Sequence, residues 1–169
     1  EGRGSRFVVR LPAHSGAPAV DERATSPRRV HVERSFERPE QLVGIRVLVV
    51  DDEEDARFLV RAVLEACGCR VSLATSAEAA LEAIQAEPPD VLVSDIAMPR
   101  EDGYDLIRKV RSLPPERGGN VPAAAITAYA RAEDRRRALD AGYSMHIPKP
   151  IEPAELVAVV ASLLRFGKR

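Results

Sequence analysis

From Gly44 onward, short apolar runs recur along the chain: "IRVLVV" (45–50), "RVSLAT" (70–75), "DVLVSD" (90–95), "PAAAIT" (122–127) and "YSMHIP" (143–148). Continuous apolar character over so few residues suits strands buried on both faces of a parallel sheet. Between these runs the apolar residues switch to helical spacing. Phe58, Leu59, Ala62, Val63 and Ala66 share one predicted face, and Ala77, Ala80, Leu81 and Ile84 share another. Leu106, Ile107 and Val110 form a third stripe, and Leu156, Val159, Val160 and Leu163 form the last. A helix over roughly 131–141 has a weaker pattern but is bounded by Gly142, just as Gly68 marks the expected stop of the first helix. Thr75 and Glu78 fit a capping box for the second helix. Five strands alternating with five helices predict a doubly wound α/β sandwich.

Upstream the pattern lapses. Residues 14–43 hold Pro18, Pro27 and Pro39, many arginines and few large apolar side chains, so they are expected to form a linker. Composition then narrows the function classes. A chain of 169 residues that is 45% hydrophobic can bury a core without disulfides or structural metal. Lys and Arg total 25 against 26 for Asp and Glu, a net charge of −1, which gives no general attraction for nucleic acid or an anionic membrane. No apolar run approaches the roughly 18 residues of a membrane span, and the opening residues do not read as a signal peptide. Cys67 and Cys69 are separated only by Gly68, a spacing that fits neither a zinc site nor a CxxC redox motif. They are expected to be reduced packing residues in a cytoplasmic protein.

In doubly wound sheets, ligands gather at the carboxyl ends of the strands. The first strand here ends in Asp51 and Asp52, the third in Asp95 and the fourth in Thr127, while the fifth runs into Lys149. The stretch "VLVVDDEED" also places five acidic residues in succession, from Asp51 to Asp55. Two carboxylates about 4 Å apart repel by about 4 kcal/mol at an effective dielectric of about 20. Glu53, Glu54 and Asp55 are expected to escape this by facing water at a helix start, where the dipole favours them. Asp51, Asp52 and Asp95 cannot all escape, and three carboxylates in one crevice require a cation. Oxygen ligands without His or Cys select a hard ion, Mg²⁺ foremost. Without it, at least one of the three should have a raised pKa. Beside a metal and a lysine, an aspartate can remain ionised and attack phosphorus to form an aspartyl-phosphate. Thr127 could then hydrogen-bond one phosphoryl oxygen and Lys149 neutralise another.

These residues, in this order, resemble the receiver domain of two-component response regulators. The resemblance rests on Asp51-Asp52, "SDIAMPREDGYDLI" around Asp95, "AITAYA" around Thr127 and "IPKPIEPAEL" around Lys149. It implies a receiver domain over 44–167 with a flavodoxin-like (βα)5 fold and sheet order 2-1-3-4-5. It implies Asp95 as phosphoacceptor, with Asp51, Asp52, Asp95 and the backbone carbonyl of Ala97 holding Mg²⁺. Thr127 would be the switch hydroxyl, and Lys149 would bridge to the phosphoryl group ahead of Pro150, whose peptide bond is often cis in the family. Met98, Pro99, Asp102 and Gly103 fit the loop after the phosphoacceptor, and Ala97 and Tyr129 occupy positions that tune water access. One departure concerns the second switch position. His146 stands where many receivers carry Tyr or Phe, a variant known among receivers attached to kinases, and it weakens an aromatic switch.

Residues 1–12, "EGRGSRFVVRLP", alternate Phe7, Val9 and Leu11 against Arg6 and Arg10, as a strand would. Through Gly2, Gly4, Ser5, Phe7, Val9, Leu11 and Pro12 they resemble the last strand of the ATPase domain of sensor histidine kinases, so 1–13 reads as a remnant of that domain. With few residues after Lys149 to form an output domain, the expected context is the carboxy-terminal receiver of a hybrid histidine kinase. The implied partners are a histidine kinase core, in cis or in trans, and a histidine phosphotransfer protein, with weak homodimerisation and no nucleic-acid or membrane contact by this segment. Two alternatives stand beside this. One is a non-catalytic docking or dimerising receiver. The other is an Asp-nucleophile phosphatase of the haloacid dehalogenase type, with Asp51 and Glu53 as its acidic pair. A P-loop fold is excluded, because no GxxxxGK[ST] occurs. Arg135, Arg136 and Arg137 are expected to form a solvated helix face.

Overall fold

The structure, a computed structural model, describes residues 39–128 and 132–166. The expectations for residues 1–13, for the linker up to residue 38 and for Tyr129 lie outside the described residues. Strands β1 (Arg46–Val50), β2 (Arg70–Ala74), β3 (Val91–Asp95), β4 (Ala123–Thr127) and β5 (Met145–Pro148) alternate with helices α1 (Glu54–Ala66), α2 (Ala77–Ala86), α3 (Gly103–Arg111), α4 (Ala132–Ala141) and α5 (Pro153–Phe166). All strand pairs are parallel, in the order β2-β1-β3-β4-β5. That is the flavodoxin-like order implied by the resemblance.

Side-chain composition explains the order. The central strands β1, β3 and β4 are buried over almost their whole length, whereas β2 exposes Arg70 and Ser72 and takes an edge. Successive residues of a strand face opposite ways, so each central strand feeds two cores. Val47, Val49, Val91, Val93 and Ile126 pack with Val60 and Leu64 of α1 and Leu156, Val160 and Leu163 of α5. Leu48, Val50, Leu92 and Ala125 pack on the other face with Ala80 and Ile84 of α2, Leu106, Ile107 and Val110 of α3, and Ala138 of α4. Gly68 (φ +87°) and Gly142 (φ +121°) take the left-handed backbone just past α1 and α4, as helix stops require. Cys67 and Cys69 lie inside the first core and are not joined by a disulfide, and burial pushes the Cys69 thiol up to about 11, keeping it protonated.

Three local expectations need correction. The buried face of α1 is Val60 and Leu64, continued by Cys67, while Phe58 and Leu59 remain 52% and 46% exposed. Opposite the charged stripe of Glu54, Arg61 and Glu65, the apolar arc runs broadly from Phe58 and Leu59 round to Val60 and Leu64, so periodicity alone could not set its phase. Arg57, next to the stripe of Val60, Leu64 and Cys67, donates from Nη1 to the Asp51 carbonyl at 2.6 Å. The cap of α2 is Ser76, whose hydroxyl accepts from the Ala79 amide at 3.2 Å; Thr75, placed one residue too early for that geometry, is exposed. Packing also begins ahead of Gly44: Glu40–Leu42 form a 3₁₀ turn, and Leu42 is fully buried in the α1–α5 core.

The corrected phase of α1 has a measurable consequence. Leu64→Ala should destabilise the protein by about 2–5 kcal/mol, the usual range for emptying a fully buried leucine site. Phe58→Ala should cost under about 1 kcal/mol. Urea unfolding of both variants checks this, and the reverse ranking would restore the phase read from periodicity.

Candidate functional site

The parallel register brings chemistry to one edge. Val50 pairs with Ala74 and Ser94, Asp95 with Ile126, and Thr127 with Pro148, so the residues at or just past these strand ends lie side by side. Asp51 follows β1 and is buried, its carboxylate Oδ1 accepting from the Glu53 amide at 2.8 Å. Asp95 closes β3 at 3% exposure. Thr127 closes β4, is buried, and its carbonyl accepts from the Lys149 amide at 2.8 Å. The Lys149–Pro150 peptide is cis.

Lys149 reaches inward between the carboxylates. Its Nζ lies 3.4 Å from Asp51 Oδ2 and 3.2 Å from Asp95 Oδ1. Asp52 is exposed, yet oxygens of Asp51, Asp52 and Asp95 all lie within 4.8 Å of one another. The structure thus brings Asp51, Asp52, Asp95 and Lys149 into one cluster, with Thr127 on the adjoining strand end. Glu53, Glu54 and Asp55 are exposed at the start of α1, as the helix dipole favours. Ala97 follows Asp95 in the loop to α3 and, with Thr127, Asp102, Tyr104 and Arg137, lines a cavity of about 210 Å³ beside the cluster. His146 lies on β5 opposite Ala125, half-buried and not among the grouped carboxylates.

The electrostatics single out one carboxylate. Burial pushes the Asp95 carboxyl above its ordinary value; Lys149 pulls it back, and Asp51 adds to the rise. Lys149 is itself raised: burial lowers it, but the charges of Asp95 and Asp51 together outweigh that. Both shifts can be upward because Asp95 carries the larger desolvation cost while the lysine has two anionic neighbours. Crowding therefore falls on Asp95, in line with the sequence expectation. Among the described residues, Asp95 Oδ1 is also the buried side-chain oxygen that no hydrogen bond of full geometry reaches; the Lys149 ammonium meets it as an ion pair at 3.2 Å. Three convergent carboxylates, one with an oxygen that no full hydrogen bond reaches, fit a hard divalent cation. Sequence reasoning missed Arg57, whose bond to the Asp51 carbonyl holds the acidic corner. An arginine in the first turn after an acidic corner was the available signal.

The family model for the response regulator receiver domain matches residues 47–161. A protein of Leptolyngbya boryana, named as an uncharacterized 14.6 kDa protein in the sodA1 3′ region, is 47% identical over 119 residues, covering 70% of this chain and 89% of that protein. Response regulator MprA of Mycobacterium ulcerans (strain Agy99) is 39% identical over 126 residues, or 75% of this chain. The chain spans only 53% of that regulator's length. Among solved structures, the receiver domain of sensor histidine kinase PA1611 from Pseudomonas aeruginosa PAO1, with a magnesium ion coordinated in its active site cleft, is 30% identical. It has a TM-score of 0.66 and covers 73% of this chain and 99% of that one. The chemotaxis response regulator CheY4 of Vibrio cholerae is 26% identical with a TM-score of 0.67, covering 72% and 99%.

Because the folded state holds the Asp95 proton more tightly than the unfolded chain, this residue's contribution to stability falls as pH rises from 3.8 through the raised folded value. Asp95→Asn, which removes the charge and keeps the shape, should raise Tm of the metal-free protein at pH 7 by a few degrees. The gap should close as pH falls toward the ordinary carboxylate range. Thermal unfolding across pH in the presence of a chelator measures it, and an unchanged or lower Tm at pH 7 would contradict the crowded site.

Proposed function

The chain belongs to the response regulator receiver family of two-component signalling, and from that premise we propose that it accepts a phosphoryl group from a phosphohistidine onto Asp95 in the presence of Mg²⁺. One observation carries the choice of nucleophile. Asp51 is held at both carboxylate oxygens, by the Glu53 amide and by Lys149, whereas Asp95 Oδ1 takes only the Lys149 ion pair at 3.2 Å and no hydrogen bond of full geometry. The same observation weighs against an Asp-nucleophile phosphatase working through Asp51.

Bound among Asp51, Asp52, Asp95 and the Ala97 carbonyl, Mg²⁺ would supply charge neutralisation for the phosphoryl oxygens. The chain's own residues do the rest. An Asp95 oxygen attacks phosphorus, the P–N bond to the histidine breaks, and the imidazole leaves with the bonding electron pair. Lys149, already beside Asp95 Oδ1, meets the negative charge on a phosphoryl oxygen, and the Thr127 hydroxyl donates to another. The new charge, about −1.5 to −2 for common phospho-residues near pH 7, draws Thr127 and Lys149 inward. That biases the face built from α4, β5 and α5, with His146 on it, between two partner-binding states. Later the phosphoryl group passes to a histidine phosphotransfer protein or to water.

The wider context is part of the proposal. We place this receiver at the carboxy-terminal side of a cytoplasmic hybrid histidine kinase, with 1–13 as a remnant of the last strand of the ATPase domain and a linker that ends ahead of the turn at Glu40–Leu42, where the receiver's packing begins. Support comes from the motif in residues 1–12 and from the likeness to the receiver domain of a sensor histidine kinase. Among the described residues, no helix is long and apolar enough to cross a membrane. The exposed Phe58 and Leu59, one turn into α1, offer an apolar contact for a phosphohistidine-bearing partner near the acidic corner. A docking receiver that never takes phosphate would have no use for the cluster at the sheet edge.

Incubation with a small phosphodonor and Mg²⁺ should place one acid-labile phosphate on each chain. The label should vanish with a chelator and in Asp95→Asn, and its initial rate should fall about a hundredfold or more in Lys149→Ala, the loss expected on removing one donor to transition-state charge. Undiminished labelling of Asp95→Asn would move the phosphoacceptor elsewhere.

A further inference from the structure

Tyr143 stands behind the site and has no part in the chemistry above. It lies between α4 and β5 at 3% exposure, and its amide donates to the Ala138 carbonyl at 3.1 Å, which ties it to the end of α4. Its phenol hydroxyl donates to the Gly103 carbonyl at 2.8 Å, 40 residues away in the chain. Gly103 is the first residue of α3, and its own amide donates to the Ile96 carbonyl at 2.9 Å, closing the loop that leaves Asp95. The packing there has no slack. A Cβ on Gly103 would sit 2.4 Å from the Asp95 carbonyl oxygen, 2.8 Å from Ile96 Cα and 3.0 Å from the Tyr143 hydroxyl oxygen. Beneath Asp95, the fully buried Ser94 hydroxyl donates to the Asp95 carbonyl at 2.9 Å. Two buried hydroxyls thus grip the main chain at both ends of the loop, Ser94 at its start and Tyr143 at its close.

We propose that Tyr143 is a positioning residue for the cation site: by anchoring the Gly103 carbonyl it fixes the 96–103 loop, and with it the Ala97 carbonyl. The inference rests on the reading of the cluster as a Mg²⁺-dependent phosphoacceptor site. Tyr143 lies two residues before β5, the strand that leads to Lys149, so the same anchor sets the loop against the lysine's strand. Loss of the hydroxyl keeps the ring and the fold but frees the loop to pivot. Its effect should therefore appear in cation affinity, not in the transfer step once the cation is bound.

Calorimetric titration of the full 169-residue chain with Mg²⁺ tests this, comparing wild type with Tyr143→Phe and with Leu163→Ala, a core truncation on α5 at the opposite face. The expected result is a rise in Kd of about three- to tenfold for Tyr143→Phe, at or below the low end of outer-shell effects on metal affinity. Leu163→Ala should keep the wild-type Kd although it is less stable, and phosphoryl uptake by Tyr143→Phe should return to the wild-type rate at saturating Mg²⁺. An unchanged Kd in Tyr143→Phe, or an equal rise in Leu163→Ala, would overturn the positioning role while leaving the phosphoacceptor reading intact. Failure of the wild type itself to bind Mg²⁺ would overturn both.

Discussion

The ammonium of Lys149 stands between two buried carboxylates, Asp51 and Asp95, and the sheet edge is organised around that contact. Taking three charges out of water costs several kcal/mol per ion before their attraction returns anything. Only partial compensation is visible: Asp95 stays above its ordinary pKa in spite of the lysine. A folded protein that keeps such a site holds electrostatic strain that a divalent cation would relieve. That strain links structure to function, because the arrangement is poor as a stability device and good as a receptor for charge.

The fold makes the contact unavoidable. Asp51, Asp95 and Lys149 are separated by 44 and 54 positions along the chain, and no local preference could bring them together. The parallel order β2-β1-β3-β4-β5 does so, because every strand runs the same way and ends at the same edge. Two valine-rich central strands, buried on both faces, keep that edge fixed, since any register slip would disturb the cores on both sides of the sheet. The corner at β1 is then tightened by Arg57 and the Glu53 amide, both acting on Asp51.

Much of this was legible in the sequence, for identifiable reasons. Strands such as "VLVSD" announce themselves because burial on both faces demands continuous apolar character, and the ends of those runs name Asp95 and Thr127 directly. Alternation of strands with helices fixed the class, and the spaced motifs implied the strand order. What stayed hidden depended on phase or on distant contacts. In α1 the apolar arc is broad, so Phe58 and Leu59 looked as fit for burial as Val60 and Leu64. Ser76 and Thr75 are adjacent residues of the same capping chemistry, and only the backbone at the turn decides between them. Tyr143 looked like part of a strand; its hydroxyl has meaning only once Gly103 is brought against it. Residues whose partners lie next in sequence or at a strand end can be read from a chain, whereas those whose partners are set by tertiary packing cannot.

Asp95 is the crowded carboxyl of the cluster, and a divalent cation bound there should relieve it. Carbon-13 NMR of the Asp95 carboxyl, followed through a pH titration with and without Mg²⁺, measures this at the atom concerned. The expected result is a pKa above the usual aspartate range in metal-free protein and a marked fall when Mg²⁺ is added. An ordinary Asp95 titration in metal-free protein, unmoved by Mg²⁺, would contradict it.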